Sequence, residues 1–299
     1  MATRFDKATE IRQVDSHTYS AHFPDEWCIG TVPNGGFITS CFMLVASKHF
    51  STTLAKQNQP HTMTLHLEFM RRTQKGPATF KVKDMKLGRQ ASVIHVSLVQ
   101  DGREEVVGYL SNTNMHTEEG ASFPTDWEMH PPPLPADHSK FEKDEDPHWI
   151  EQKRMPFAGF RKSSTRMKWF FPRKGQRLRS ISDEWVRWSS GEKFSQESLG
   201  FVCDNFPLVV ESYNKMTPAR FWYPTLLLNL DVKKALPPDG VDYLFVRAQS
   251  KQIKNGRHDI EVTILDEQGD LVALSHHVVL VVDSSRNLAE RRKQDASKL

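Results

Sequence analysis

Asp204 stands in GFVCDNF, an apolar, helix-like stretch where a carboxylate is costly to bury without a partner or a task. Such an acid can take a proton from water, or it can cap a helix that Pro207 interrupts. Asn34, Gly35 and Gly36 open the long apolar segment GGFITSCFMLVASKHF. They offer backbone N–H groups at a helix N-terminus, where the dipole favours negative charge and no side chain blocks approach. The same three residues would equally serve a plain tight turn. His276 and His277 are neighbours in LSHHVV, so on a strand only one of them faces a shared interior. Between Gln152 and Ser182 no acid occurs while basic residues accumulate, Arg173, Lys174 and Arg177 among them. That run can attract phosphates, and it also suits a solvated sheet edge that discourages aggregation.

Other chemistries lack their residues. The chain has no GxSxG, no GxxxxGK[ST], no HExxH and no GxGxxG, which removes the motif support for a nucleophile elbow, a phosphate loop, a zinc helix or a dinucleotide site. Cys28, Cys41 and Cys203 form no CxxC pair, so neither a disulfide framework nor a metal ribbon is expected. With 40 Lys+Arg against 37 Asp+Glu the formal charge is +3, too little to argue for a nucleic-acid partner. No run of about 18 apolar residues argues for a membrane span. The last residues, Ser297, Lys298 and Leu299, match the address read by the peroxisomal import receptor, and a peroxisomal location is the expectation.

The elements that must position these residues occur in the same order twice. A helix from GGFITSCFMLVASKHF, apolar on nearly every face, is followed by the strand-like segments HTMTLHLEFMRR, ATFKVKDMKLG, SVIHVSLVQ and EVVGYLSNT, with Asp101-Gly102 as a tight hairpin. After a proline-rich, acidic stretch the order returns: β-like TRMKWFFP and EWVRWS, a helical SQESLGFVCDNFPLVVESYN, then PTLLLNLDVKKAL, YLFVRAQSKQI, HDIEVTILD and DLVALSHHVVLVV. Gly88-Arg89 corresponds to Gly256-Arg257, and Asp101-Gly102 to Gln268-Gly269. This is a diverged internal duplication. It predicts an N-terminal unit over 1–118, a linker over 119–160, a second unit over 161–285 and a flexible tail over 286–299. Whether the product associates further into a homo-oligomer is left open.

The ordered set VPNGGF, HTMTLHLEFMRR, KLGRQASVIHVSLVQDG, EWVRWS, GFVCDNF and GDLVALSHH resembles the double hotdog acyl-CoA thioesterases of the thioesterase II type, in their fungal thioesterase-like branch, over roughly residues 15–285. The resemblance implies an α+β fold of two antiparallel sheets, each wrapped around a long helix, in a single-chain pseudo-dimer. It implies hydrolysis of an acyl-CoA thioester by base-activated water, with coenzyme A as part of the substrate and no separate cofactor. By the same resemblance Asp204 would be the base, Thr225 would hold the water, and His277 falls where the family has a glutamine. That departure keeps two other readings open: a dehydratase, isomerase or cyclase on the same fold, and a non-catalytic acyl-binding protein.

Overall fold

The computed structural model describes residues 3–207, 209–213 and 221–289. The expected import signal, Ser297, Lys298 and Leu299, lies outside the described residues. In the first half, helix α1 (Gly35–Ser51) follows strand β1 (Thr18–Phe23) and precedes β2 (His61–Phe69), β3 (Gly76–Lys86), β4 (Ala91–Gln100) and β5 (Arg103–Thr113). Asn34 starts α1 by accepting the Phe37 N–H on its side-chain oxygen at 3.0 Å. Phe37, Ile38, Cys41, Phe42, Val45 and Ala46 on several faces of the helix are all buried, because the sheet curls around it. Asp101 and Gly102 both take positive φ at the β4–β5 hairpin, as a tight primed turn requires.

The second half contributes β6 (Trp149–Glu151), β7 (Met167–Pro172), β8 (Ile181–Trp188), β9 (Thr225–Val232), β10 (Leu244–Gln249), β11 (Arg257–Leu265) and β12 (Leu271–Leu280). Its helix, α2 (Leu199–Val202), is a single turn among the described residues, where the sequence predicts a long one. Pro207 and the polar pair Asp204-Asn205 cannot propagate an apolar helix, and the chain leaves the helical path there.

The two halves share one antiparallel sheet in the order β1, β3, β4, β5, β2, β9, β12, β11, β10, β8, β7, β6, with short Arg12–Gln13 at one edge. The seam is β2 against β9, where Leu67 faces Leu228 and Leu65 faces Leu230, all four almost fully buried. Across it the His66 ring Nδ1 lies 2.7 Å from the Asn229 side-chain oxygen. Inside the curl α1 and α2 touch through glycines. A Cβ on Gly36 would lie 2.8 Å from the carbonyl oxygens of Gly200 and Phe201, and a Cβ on Gly200 would lie 2.6 Å from the Ser40 nitrogen. This is the double hotdog pseudo-dimer, with its two sheets fused edge to edge.

Two boundaries differ from expectation. From Met129 on, the linker is tied down on the outer face of the second half: Met129, Phe141 and Trp149 join Phe170, Trp185, Tyr243 and Phe245 in a separate apolar cluster. Arg247, paired with Asp183 at 2.6 Å, donates to the Pro131 carbonyl, and β6 extends the sheet. Of the tail expected to be flexible from residue 286, the described residues 286–289 are also anchored. Asn287 is fully buried, donates from Nδ2 to the Ile29 carbonyl at 2.9 Å and accepts the Thr31 N–H at 3.0 Å.

Candidate active site

The close approach of α1 and α2 delivers Asp204, two residues beyond α2, to the N-terminus of α1. Its Oδ2 occupies the space a Gly35 side chain would need, 2.5 Å from the position of the missing Cβ. A carboxylate here benefits from the positive end of the α1 dipole. Asp204 and Asn34-Gly35, from opposite halves, thus line one cavity of about 1180 Å³.

Thr225 and His277 converge on the other carboxylate oxygen. The Thr225 hydroxyl donates to Asp204 Oδ1 at 3.2 Å, from the start of β9 where a bulge before Leu227 re-aims the strand. His277 lies on β12 with its ring fully buried, while adjacent His276 faces outward, as strand alternation demands. Its Nδ1 is 3.2 Å from Asp204 Oδ1 but is not aligned as a good hydrogen bond. The far side of the ring is fixed. Ser275 Oγ gives its proton to the Asn229 carbonyl at 2.7 Å, so it accepts from His277 Nε2 at 2.7 Å. Nε2 therefore carries hydrogen, and Nδ1 is the ring edge that faces Asp204 Oδ1. Ser275 is a site residue that the sequence reading missed. Its signal is its position two residues before His277, on the same strand face.

Asn34 spends its side chain on capping α1, and its own N–H donates to the Trp27 carbonyl at 3.0 Å. The N–H groups of Gly35 and Gly36 lie too early in α1 to have an intrahelical acceptor; Gly35 lines the cavity, whereas Gly36 is buried against α2. Ser40, on α1 where it meets Gly200, stands opposite to Asp204 in the pseudo-symmetry and is fully buried, with no partner for its hydroxyl among the described residues.

Arg173, Lys174 and Arg177 do not reach this cavity. Arg173 donates to the Asp146 carbonyl at 2.7 Å and to Asp144, and Arg177 donates to the Pro132 carbonyl, so both are spent on holding the linker. A basic run in sequence does not reveal which carbonyls it will meet. The cations on the cavity wall are Arg71, Arg72, Arg103, Arg161 and Arg286 instead, with Arg161 ion-paired to Glu211. The apolar wall includes Phe69, Phe157, Phe171, Phe206 and Trp222. The three cysteines are buried, and burial pushes their thiols up, Cys28 to about 12, which disfavours the thiolate a nucleophile would need.

Comparison with known proteins agrees with this architecture. Residues 23–113 match the family model described as the acyl-CoA thioesterase N-terminal domain, and residues 127–281 match the one described as the C-terminal domain. The chain is 35% identical over 333 aligned residues to the thioesterase-like protein TwmA of Talaromyces wortmannii, covering 96% of this chain and 94% of that protein. A solved hot dog fold protein of Alicyclobacillus acidocaldarius superposes with a TM-score of 0.75 at 16% identity, over 94% of this chain and 99% of that one. The acyl-CoA thioesterase II TesB2 of Mycobacterium marinum gives 0.65 at 16% identity, over 95% and 100%.

Proposed function

The chain belongs to the acyl-CoA thioesterase family in its two-domain, double hotdog form, and we propose that it hydrolyses a fatty or polyketide-derived acyl-CoA with Asp204 as general base. The observation that carries this reading is the joint placement of Asp204, Thr225 and the α1 N-terminus at one cavity.

In the reaction so read, a water held near Thr225, with His277 buried behind Asp204, gives a proton to the Asp204 carboxylate as its oxygen attacks the thioester carbonyl carbon. The carbonyl π electrons move to oxygen, and the resulting oxyanion is met by the Gly35 and Gly36 N–H groups and the helix dipole. Collapse breaks the carbon–sulfur bond. The leaving thiolate regains the proton from Asp204, giving a free acid and coenzyme A. Positive charge on the cavity wall supports an anionic ligand such as the coenzyme phosphates, with Arg71 and Arg72 already donating to backbone carbonyls and Arg161 paired to Glu211. The aromatic wall supports an apolar or ring-bearing acyl group.

Thiol release measured across a panel of acyl-CoAs tests the reading. Turnover of at least one member is expected, and loss of that turnover in Asp204→Asn ties it to this site. Tight acyl-CoA binding with no thiol released from any of them would overturn hydrolysis in favour of a binding role. Ser297, Lys298 and Leu299 support delivery to peroxisomes. A tagged protein lacking them should stay cytosolic, and continued import would remove that proposal.

A further inference from the structure

At the far end of α1 from Asp204, three side chains from different elements converge: His17 just before β1, His49 in the last turn of α1 and Asp84 on β3. One ligand atom of each lies within 4.8 Å of the others. His49 Nε2 is 2.9 Å from Asp84 Oδ1, and His17 Nε2 is 3.3 Å from Asp84 Oδ2. We infer that His17, His49 and Asp84 form a binding site for a single zinc ion, which braces the C-terminal end of α1 against the edge of the sheet.

Four features carry the inference. Both imidazoles turn Nε2 inward while a hydroxyl holds Nδ1, Tyr19 on His49 at 2.8 Å and Ser16 on His17 at 2.9 Å. Zinc-binding histidines are held in this way by outer partners that fix the ring. The spacings also match. Ligands about 2.0–2.1 Å from a tetrahedral ion sit about 3.3 Å from each other, so the observed nitrogen–oxygen distances need only small shifts. Asp84 lies where the β3–β4 register slips between Asp84 and Lys86, an irregularity that re-aims a side chain. Finally, a cation placed after the last turn of α1 complements the negative end of its dipole.

Two imidazoles and one carboxylate suit zinc far better than magnesium, which prefers oxygen ligands throughout. His49 is fully buried, whereas the His17 side chain is 42% exposed, leaving an entry path and room for water as the fourth ligand. The pairing is invisible as a motif, since His17, His49 and Asp84 are far apart in sequence.

The test is calorimetric titration of zinc into tag-free, chelator-treated full-length protein, with magnesium in parallel, followed by thermal melting. One zinc ion per chain and a raised melting midpoint are expected, with no saturable magnesium binding. His17→Ala, on a half-exposed residue that the fold tolerates losing, should weaken zinc binding by more than about 100-fold, because outer partners alone are worth 10–100-fold. Asp84→Asn should do the same. Absence of saturable zinc binding would overturn the inference, and so would parent-like affinity in His17→Ala, which would put the ion elsewhere.

Discussion

Gly35 has no room for a side chain because Asp204 fills it: a Cβ there would stand 2.5 Å from Asp204 Oδ2. The two residues come from opposite halves of the duplication, so the carboxylate can sit on the helix end only where the other half omits a side chain. Gly35 needs no unusual backbone angle; what it needs is the close approach.

Gly35→Ala should therefore injure chemistry before it injures the fold. The methyl group pushes the Asp204 carboxylate off the helix end, and a displacement of about 1 Å at a reacting group can cost on the order of 10²-fold in rate. Thiol release should fall by that order while the protein still melts cooperatively. Parent-like turnover would mean that the carboxylate does not work from this position.

Asp204→Asn keeps the shape, an acceptor for the Thr225 hydroxyl and a group suited to a helix end, but it removes the base. Turnover should drop by about 10²–10⁴-fold, the range for loss of general-base catalysis, with acyl-CoA binding retained. If turnover per folded molecule is unchanged, Asp204 is a structural cap and the water is activated by another group.

His277→Gln separates two roles for the imidazole. A glutamine side chain offers both an acceptor and a donor beside Asp204 Oδ1, so activity within about tenfold of the parent is expected if His277 orients the water or the acid. His277→Leu, which can do neither, should lose at least about 10²-fold. Inactivity of the glutamine variant would transfer the proton-accepting role from Asp204 to His277.

Asp204 stood out in the sequence as a candidate because an acid inside VCDNF contradicts its apolar surroundings, and the repeat of helix and strands was legible because Asp101-Gly102 and Gln268-Gly269 mark the same hairpin twice. The meeting of Gly35 with Asp204 was not. It depends on the β2–β9 seam and on the Gly36–Gly200 contact, which are long-range packing facts with no local period. The basic run misled for a related reason. Arg173 and Arg177 carry the right charge for phosphates but are committed to backbone carbonyls of the linker, which only the folded chain brings near. The second helix fell short because Pro207 and its polar neighbours weigh more than the apolar run before them.

Glu184 is fully buried on β8, with the Ser182 hydroxyl donating to Oε2 at 2.9 Å and with no partner for Oε1 among the described residues. Burial, and then the adjacent Asp183 charge, push its carboxyl well above the ordinary 4.5. The folded state thus favours the protonated acid, whereas the unfolded chain ionises near its ordinary value. Stability from this group is fully present below about pH 4.5 and is lost as pH rises toward the folded-state value. Glu184→Gln stays neutral at every pH and still accepts from Ser182. It should leave stability nearly unchanged near pH 4 and raise it by about 1–3 kcal/mol at pH 8, since each pH unit over which only the unfolded chain is ionised is worth about 1.4 kcal/mol. For a chain of this size that is a rise of several degrees in the melting midpoint. Melting both proteins across that pH range checks it: a gain equal at both ends would point to better packing of the amide, and no gain at pH 8 would mean that Glu184 is not held protonated in the folded protein.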